Sequence, residues 1–592
     1  MSRLLAALAA SLLVAAQARA QDKKPEQEEI DPKTRAAIQR EIEKAKDELR
    51  DEVRAELQGA QSAAEFLGAV AEGPKLEFLQ LDGYLRLRAQ MMVNLDLTDQ
   101  LDASGHSLFP RPLQGPTSRD TLSTANMRLR LEPTLNVSEH VRVRAQVDVL
   151  DNRVLGSSTS GLSDDPSSPY PVPFYGSSPV LVEGDPRQDR PAITPKRAWA
   201  EVQTPFGLLS FGRMPSEWGL GILTHAGGGI DDDLGDSVDR VQFALPQVTT
   251  PLGRLSLVPM YDFDAEGVVN GDPRAGAGVG QPFDAESADD ARTVAIKIAR
   301  LDTEDEVRRK LERNAASVNY GLYYAYRTQR WAYPSWGEDG LGGTYGDTDT
   351  AVHRSAYAYM ADLWFRWLGP RLRLEAELVG VYGHIGNAAD AVGVETGDIL
   401  LRQWGGSVVA DYKISPNKVT LGAEVGAASG DDAPGFGNVP SRGATPYGSV
   451  EGQQWRAGTD RSIRNFRFNP AYRVDLILWR HVLGQVTDAM YVKPKLRWDI
   501  LPGVALDLSV IYSRAIFGES TPSAVADAAG NLVDSGSADL GIEGDAVLSY
   551  TSGDGFQLFG EWGVLQPLSG LEWDGASGSR AHFLALGLAA RF

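Results

Sequence analysis

Arginines recur at two-residue steps in the first third of the chain: Arg86 and Arg88, Arg128 and Arg130, Arg142 and Arg144, with Arg197 further on. A step of two puts side chains on one face of a β-strand. If these strands are neighbours, their guanidinium groups line one wall. A Gly-rich segment over 214–239 then carries Glu217, Asp231, Asp232, Asp233, Asp236 and Asp239. Folded inward, it would set acids against arginines across a lumen. Such a constriction has a transverse field, which orients polar solutes and penalises apolar ones. The competing expectation is structural: the arginines pair with Glu132, Asp148 and Glu201 to stiffen the wall, and the segment stays outside. Both can hold, since a paired wall can still line a pore.

Other chemistries fit the residues less well. The chain has no cysteine, which excludes thiolate redox and Cys-ligated metal sites. Asp231-Asp232-Asp233 and Ser429-Gly430-Asp431-Asp432 offer clustered oxygens of the kind Ca²⁺ takes, but neither has EF-hand spacing. The seven histidines contain no H-x-x-x-H pair, so no zinc site is expected. His106, His225, His384 and His481 fall in expected loops or strand ends, and no G-x-S-x-G elbow accompanies them, so no enzyme is expected. No cofactor is expected either. A net charge of −21 does not suggest nucleic acid as a partner.

The elements that must carry these residues are strands. Leu85, Leu87, Ala89, Met91, Val93, Leu95 and Leu97 alternate with Arg86, Arg88, Gln90, Asn94 and Asp96. The same alternation returns at 127–132, 141–149, 371–378, 504–510 and 540–548. One apolar and one charged face, repeated, fits a barrel wall between lipid and water. A mean hydropathy of −0.24 also suits a barrel, in which only alternate residues meet lipid. Short links near Val137–His140, Thr204–Gly207, Leu368–Pro370, Ser415–Asn417, Pro502–Gly503 and Ser552–Gly555 alternate with long Gly/Asp/Pro/Ser-rich ones at 152–194, 264–291, 332–354 and 517–539. Outer-membrane barrels place short turns in the periplasm and long loops outside. The reading gives about eighteen strands, an even number. The link 302–314 breaks the rule and reads as a charged helix. Arg473 to Leu483 is placed in a long loop to keep the parity.

The N-terminus fixes the compartment. Arg3, the apolar stretch Leu4 to Ala16 and Ala18-Arg19-Ala20 form a secretory signal peptide, with cleavage expected after Ala20. Residues 21–75 are charged. There Ile38, Ile42, Ala45, Leu49, Val53 and Leu57 recur at helical spacing, which reads as a periplasmic amphipathic helix or a short coiled coil joining protomers. This segment is too short for the plug domain of a TonB-dependent receptor.

At the other end Leu584, Leu586, Leu588, Ala590 and Phe592 alternate to the last residue. The terminal Phe592, with Gly587 five residues before it, resembles the carboxy-terminal assembly signal of outer-membrane barrels. Ala585 and Ala590 depart from its usual polar and bulky residues. Pro205-Phe206-Gly207-Leu208-Leu209-Ser210-Phe211-Gly212-Arg213 resembles the hairpin of general bacterial porins, whose next loop folds into the channel. Leu421 to Asp432 resembles a strand-to-loop junction of alginate-export-type barrels. The resemblance implies a passive or facilitated channel and names no substrate.

The sequence therefore predicts an all-β protein: a membrane-spanning antiparallel up-and-down barrel over 76–592, preceded by a signal peptide (1–20) and a helical periplasmic segment (21–75). The expected function is diffusion of small hydrophilic solutes or ions through an Arg-lined, loop-constricted pore. A polysaccharide-export barrel and a structural or adhesive barrel are the alternatives. The expected partners are outer-membrane lipid, the barrel-assembly machinery and, as an assembly, a homotrimer.

Overall fold

Alternation along each strand, repeated around a ring, closes the chain on itself. The computed structural model describes residues 78–97, 109, 120–155, 193–251, 253–264, 290–332, 352–387, 397–415, 418–432, 461–526, 528, 532–572 and 578–592. The signal peptide and the 21–75 segment lie outside the described residues. The main sheet contains 20 strands. Two are short: Val248–Thr250 prolongs a wall strand past an interruption, and Ser462–Ile463 lies in a loop. The remaining 18 form a closed antiparallel barrel.

In chain order the wall strands are β1 (Leu79–Val93), β2 (Thr121–Asn136), β3 (Val141–Val154), β4 (Ile193–Thr204), β5 (Gly207–Pro215), β6 (Ser237–Ala244), β7 (Gly253–Phe263), β8 (Arg292–Arg300) and β9 (Ser317–Ala332). They continue with β10 (Val352–Leu368), β11 (Leu372–Ile385), β12 (Ile399–Ser415), β13 (Val419–Ala428), β14 (Ala489–Leu501), β15 (Val504–Ala515), β16 (Asp539–Thr551), β17 (Phe556–Pro567) and β18 (Ala581–Arg591). Each pairs with the next, and β18 returns to β1 in a register running from Tyr84↔Arg591 to Val93↔His582. Phe592 extends the seam: its N–H and C=O exchange hydrogen bonds with Gly83, both 3.1 Å. A Cβ on Gly587 would run into the Phe559 ring, so the last strand needs glycine there to lie close to β17.

The faces are inverted relative to a water-soluble protein. On β1, Leu85 and Leu87 are 50% and 37% exposed, while Arg86 and Arg88 are 0% exposed. Exposed apolar residues follow the same parity on the other strands, among them Val294, Leu363, Leu378, Val425, Val510, Leu548 and Leu586. A sheet closed into a ring satisfies its own backbone and presents hydrocarbon outward, as a lipid bilayer requires.

The short links all fall at one end of the barrel. Pro502-Gly503 is the tightest; Gly503 takes φ +77°, the conformation a type II turn demands after proline. The link before Ser317 holds the one α-helix among the described residues, α1 (Glu304–Glu312). A capping box starts it: Thr303 Oγ1 accepts from Glu306 N (3.4 Å) and Glu306 accepts from Thr303 N (3.0 Å). The charged helix expected at 302–314 is therefore present.

The sidedness makes a direct prediction. Leu87→Arg should cost about 2–4 kcal/mol in lipid vesicles, the penalty for an arginine near the bilayer midplane. Urea unfolding in vesicles reads it. An ordinary exposed surface site would change stability by no more than about 0.5 kcal/mol.

Candidate functional site

Two loops fold into the barrel rather than away from it. The first joins β5 to β6 (residues 216–236) and crosses the lumen. Near its start, Trp218 packs edge-on against Trp364 (6.2 Å) and beside Tyr323 (6.3 Å). Wall Gly321 leaves room, since a Cβ there would approach the Trp218 ring to 2.6 Å. Glu377 on β11 then accepts three successive backbone N–H groups, from Leu220, Gly221 (2.9 Å) and Ile222 (3.2 Å). Successive amides make an anion nest, and here a wall carboxylate fills it.

The far part of this strap meets the opposite wall, β1 to β3. Arg88 bridges Asp231 (Nη1–Oδ1 2.7 Å) and Asp233 (Nη2–Oδ2 2.8 Å). Arg86 reaches Asp233 (3.3 Å) and the Ile230 carbonyl (3.0 Å). Arg128 donates to the Asp232 carbonyl (2.7 Å) and pairs with Asp151 (2.5 Å). Arg197 donates to the Ala226 and Asp236 carbonyls (2.5 and 2.9 Å). The arginines and acids predicted to meet across a gap are thus in direct contact. Two of the three expected wall acids are paired with arginines: Asp148 with Arg130 (2.7 Å) and Glu201 with Arg144 (3.4 Å), while Glu132 accepts from Gln146 Nε2 (2.6 Å). Arg142, half-buried, sits one row nearer the short-turn end, in register with Glu201.

The other acids divide. Asp236 accepts from His225 N (3.0 Å) and from Asn469 Nδ2 (2.6 Å). Glu217 lies at the start of the strap, its carbonyl taking Lys297 Nζ at 2.9 Å. Asp239 does not belong to the set. It lies within β6 and pairs with Arg213 (2.6 Å) on the outer face, with the parity of exposed Phe211 and Val241. The 231–233 run, weighed as a Ca²⁺ site, turns its carboxylates to guanidinium groups and backbone N–H instead.

The second inward loop, between β13 and β14, was expected to be external. Residues 464–488 instead pack Phe466, Phe468, Ile477, Leu478, Trp479, Val482 and Leu483 into an apolar core inside the barrel, against Met92, Ile222 and Phe583. Its wall anchor repeats the first: Glu543 on β16 accepts from the N–H groups of Leu476 (2.9 Å), Ile477 (2.7 Å) and Leu478 (2.9 Å). A single turn of π-helix, Leu478–Val482, follows. Arg473 and Arg480 reach across to Asp231 at 2.6 and 3.0 Å, and Asn469 N donates to the Ile222 carbonyl at 2.8 Å. The sequence reading missed Arg473, Arg480, Asn469, Glu377 and Glu543 as site residues. Its one available signal was the run Val474 to Leu483, too apolar for a wet loop and set aside as a wall strand only because the strand parity would fail.

Electrostatics separate the loops. Burial pushes the Asp231 and Asp233 carboxyls up, but the surrounding guanidinium groups win and hold both well below the usual range: Arg88 and Arg473 at Asp231, Arg88 and Arg86 at Asp233. Asp475 goes the other way, pushed up to about 7 by burial and then by the Asp545 carboxylate. Burial, then Arg480, drives the His481 imidazole down, so it is neutral against the Phe583 ring at 5.2 Å.

The wall and its two inward loops form a closed 18-strand antiparallel β-barrel with an apolar outer face. Among solved structures, the chain is similar to OccK8 (OprE) of Pseudomonas aeruginosa (11% identity, covering 88% of this chain and 99% of that one, TM-score 0.42). It is also similar to a BenF-like porin from Pseudomonas fluorescens Pf-5 (12%, 88% and 100%, 0.43) and to Pseudomonas aeruginosa OpdK, solved with vanillate (10%, 86% and 98%, 0.41). No family model and no curated protein matches the chain.

Two predictions follow from the pairing. Asp233→Asn leaves Arg86, Arg88 and Arg128 short of counter-charge in a dry site, where breaking a buried pair costs about 3–5 kcal/mol. The strap should loosen, and limited proteolysis within 216–236 should accelerate by at least tenfold. The second prediction concerns pH. A carboxyl titrating below its ordinary value, near 3.9, gives its full stabilisation above about pH 4 and loses it only in stronger acid. Asp475, titrating above its ordinary value, disfavours docking of its loop increasingly as pH rises from about 4 to 7. Hydrogen exchange corrected for intrinsic rates should show the Gly229 and Asp232 amides equally protected from pH 8 to 4.5. Protection at Trp479 and Arg480, whose N–H groups donate to Asp475 (3.0 and 3.2 Å), should rise on acidification.

Proposed function

We propose that the barrel is a channel for passive or facilitated diffusion of small hydrophilic solutes, with a preference for anions set by its basic wall. The observation that carries this reading is the strap. A loop pinned to both sides of an 18-strand lumen narrows a passage that barrels of this size otherwise leave wide. Arg86, Arg88 and Arg128 hold the strap in place. Arg142 and Arg144, half-buried on the short-turn side, are the groups a passing anion would meet, while Arg130 is held by Asp148 beside them. Arg197, Glu217, Asp232 and Asp236 set the shape of the constriction by fixing where the strap turns. This division supports a narrow, polar, field-bearing path better than an open bore.

Export after cleavage at Ala20, and delivery to the barrel-assembly machinery through the last strand with Gly587 and Phe592, complete the proposal. The seam formed by Phe592 and Gly83 supports that role, because the last strand is the one that closes the ring against β1.

Conductance in planar bilayers tests the reading. The purified protein should give discrete steps, smaller than those of the strap-loosened Asp233→Asn variant. Under a KCl gradient the reversal potential should indicate anion preference, and Arg142→Ala with Arg144→Ala should shift it toward cations. Silence in the bilayer would overturn the channel; an unmoved reversal potential would overturn the basic wall.

A further inference from the structure

The outer surface carries a second organised set of side chains. Across four neighbouring strands, Tyr326, Tyr359, Tyr382 and Arg402 are successive register partners, and all lie on the outward face. They sit toward the long-loop end of β9 to β12, above the apolar pair Leu363 and Leu378. The tyrosines form a continuous surface: Tyr359 lies 4.9 Å from Tyr326 and 5.6 Å from Tyr357, and Tyr357 stacks on His384 at 5.5 Å. One row toward the midplane, Ala361 pairs with Gly380, flanked by Tyr324 and Trp404. A Cβ on Gly380 would meet nothing within 4 Å. Two small residues among large aromatics leave a shallow depression open to the bilayer.

The charges around this patch differ from those elsewhere on the rim. Arg213, Arg292 and Arg514, at the same end of the barrel, are each paired with an aspartate: Asp239 (2.6 Å), Asp290 (3.0 Å) and Asp539 (2.6 Å). Arg402, at the end of the tyrosine row, and Arg330, at the bulge between Gln329 and Trp331, are exposed and have no acidic partner among the described residues. The nearby acid, Asp398, lies 3.5 Å from His384 Nε2 instead.

We propose that this face binds a phosphorylated, multiply acylated glycolipid of the outer leaflet. An acyl chain lies over Ala361 and Gly380, the sugar rings rest on the tyrosines, and Arg402 and Arg330 take the phosphate. Tyrosine rings suit the headgroup level, where one edge is apolar and the other wet. Guanidinium groups match phosphate oxygens with paired hydrogen bonds. A second copy of the chain fits the charge less well, because the rim acids Asp239, Asp290 and Asp539 are already held by their own arginines.

Native mass spectrometry of the detergent-solubilised full barrel tests the site, with diphosphorylated lipid A, its dephosphorylated form and phosphatidylglycerol as probes. The diphosphorylated lipid should bind at least tenfold more tightly than either of the others. Arg330→Gln with Arg402→Gln should weaken it about 25-fold, each arginine near an anionic headgroup being worth roughly fivefold. Arg213→Gln should leave it unchanged, and heat-modifiable gel migration confirms that each variant is a folded barrel. Unchanged binding in the double variant, equal binding of phosphatidylglycerol, or a change of oligomeric state without loss of lipid would overturn the proposal.

Discussion

Buried guanidinium groups have to be neutralised, and in this barrel one loop does most of it. Arg86, Arg88 and Arg128 from the wall and Arg473 and Arg480 from the second loop converge on Asp231 and Asp233. The three wall arginines are almost wholly withdrawn from water. In such a place an unpaired charge is far more costly than a paired one is favourable. The position of the strap is therefore set by charge at one end and by the Glu377 amide nest at the other. The second loop then docks on the strap, through Asp231, Asp236 and the Ile222 carbonyl. Remove the acids and both loops lose their common reference.

The two anchors share a design. Glu377 and Glu543 stand on strands far apart in the ring, yet each points inward and accepts three consecutive backbone N–H groups from an incoming loop. Such a contact fixes the backbone whatever side chains the loop carries. It leaves the loop sequence free to vary while its entry point stays fixed.

The wall was legible because membrane barrels write their geometry at period two. Leu85 against Arg86 and Leu372 against Arg373 state which way each side chain points, and short links such as Pro502-Gly503 mark one common end of the barrel. The charged link before Ser317 was legible as a helix from its composition. That wall arginines would pair with acids such as Asp148 and Glu201 was one of the two expectations alternation on adjacent strands allowed. What could not be read was depth. Nothing in a one-residue-at-a-time pattern tells whether a loop between two strands leaves the barrel or fills it. Asp239 was grouped with the strap acids because it is close in sequence, but one residue's parity put it on the outside. Arg473 and Arg480 became partners of Asp231 only through a fold of the second loop that joins residues some 240 positions apart.

The central claim is that the strap stands across the lumen, held by Asp231 and Asp233. Since the chain has no cysteine, two introduced cysteines are unique labelling sites. Gly228 on the strap has room for a side chain, and Glu139 lies exposed in a short turn. Pulsed electron paramagnetic resonance between spin labels at these positions, in lipid, measures where the strap stands. The account predicts one narrow distance, insensitive to salt, that broadens and lengthens when Asp231 and Asp233 are both changed to asparagine. A broad, long distribution in the otherwise unaltered protein, or one indifferent to losing both acids, would contradict it.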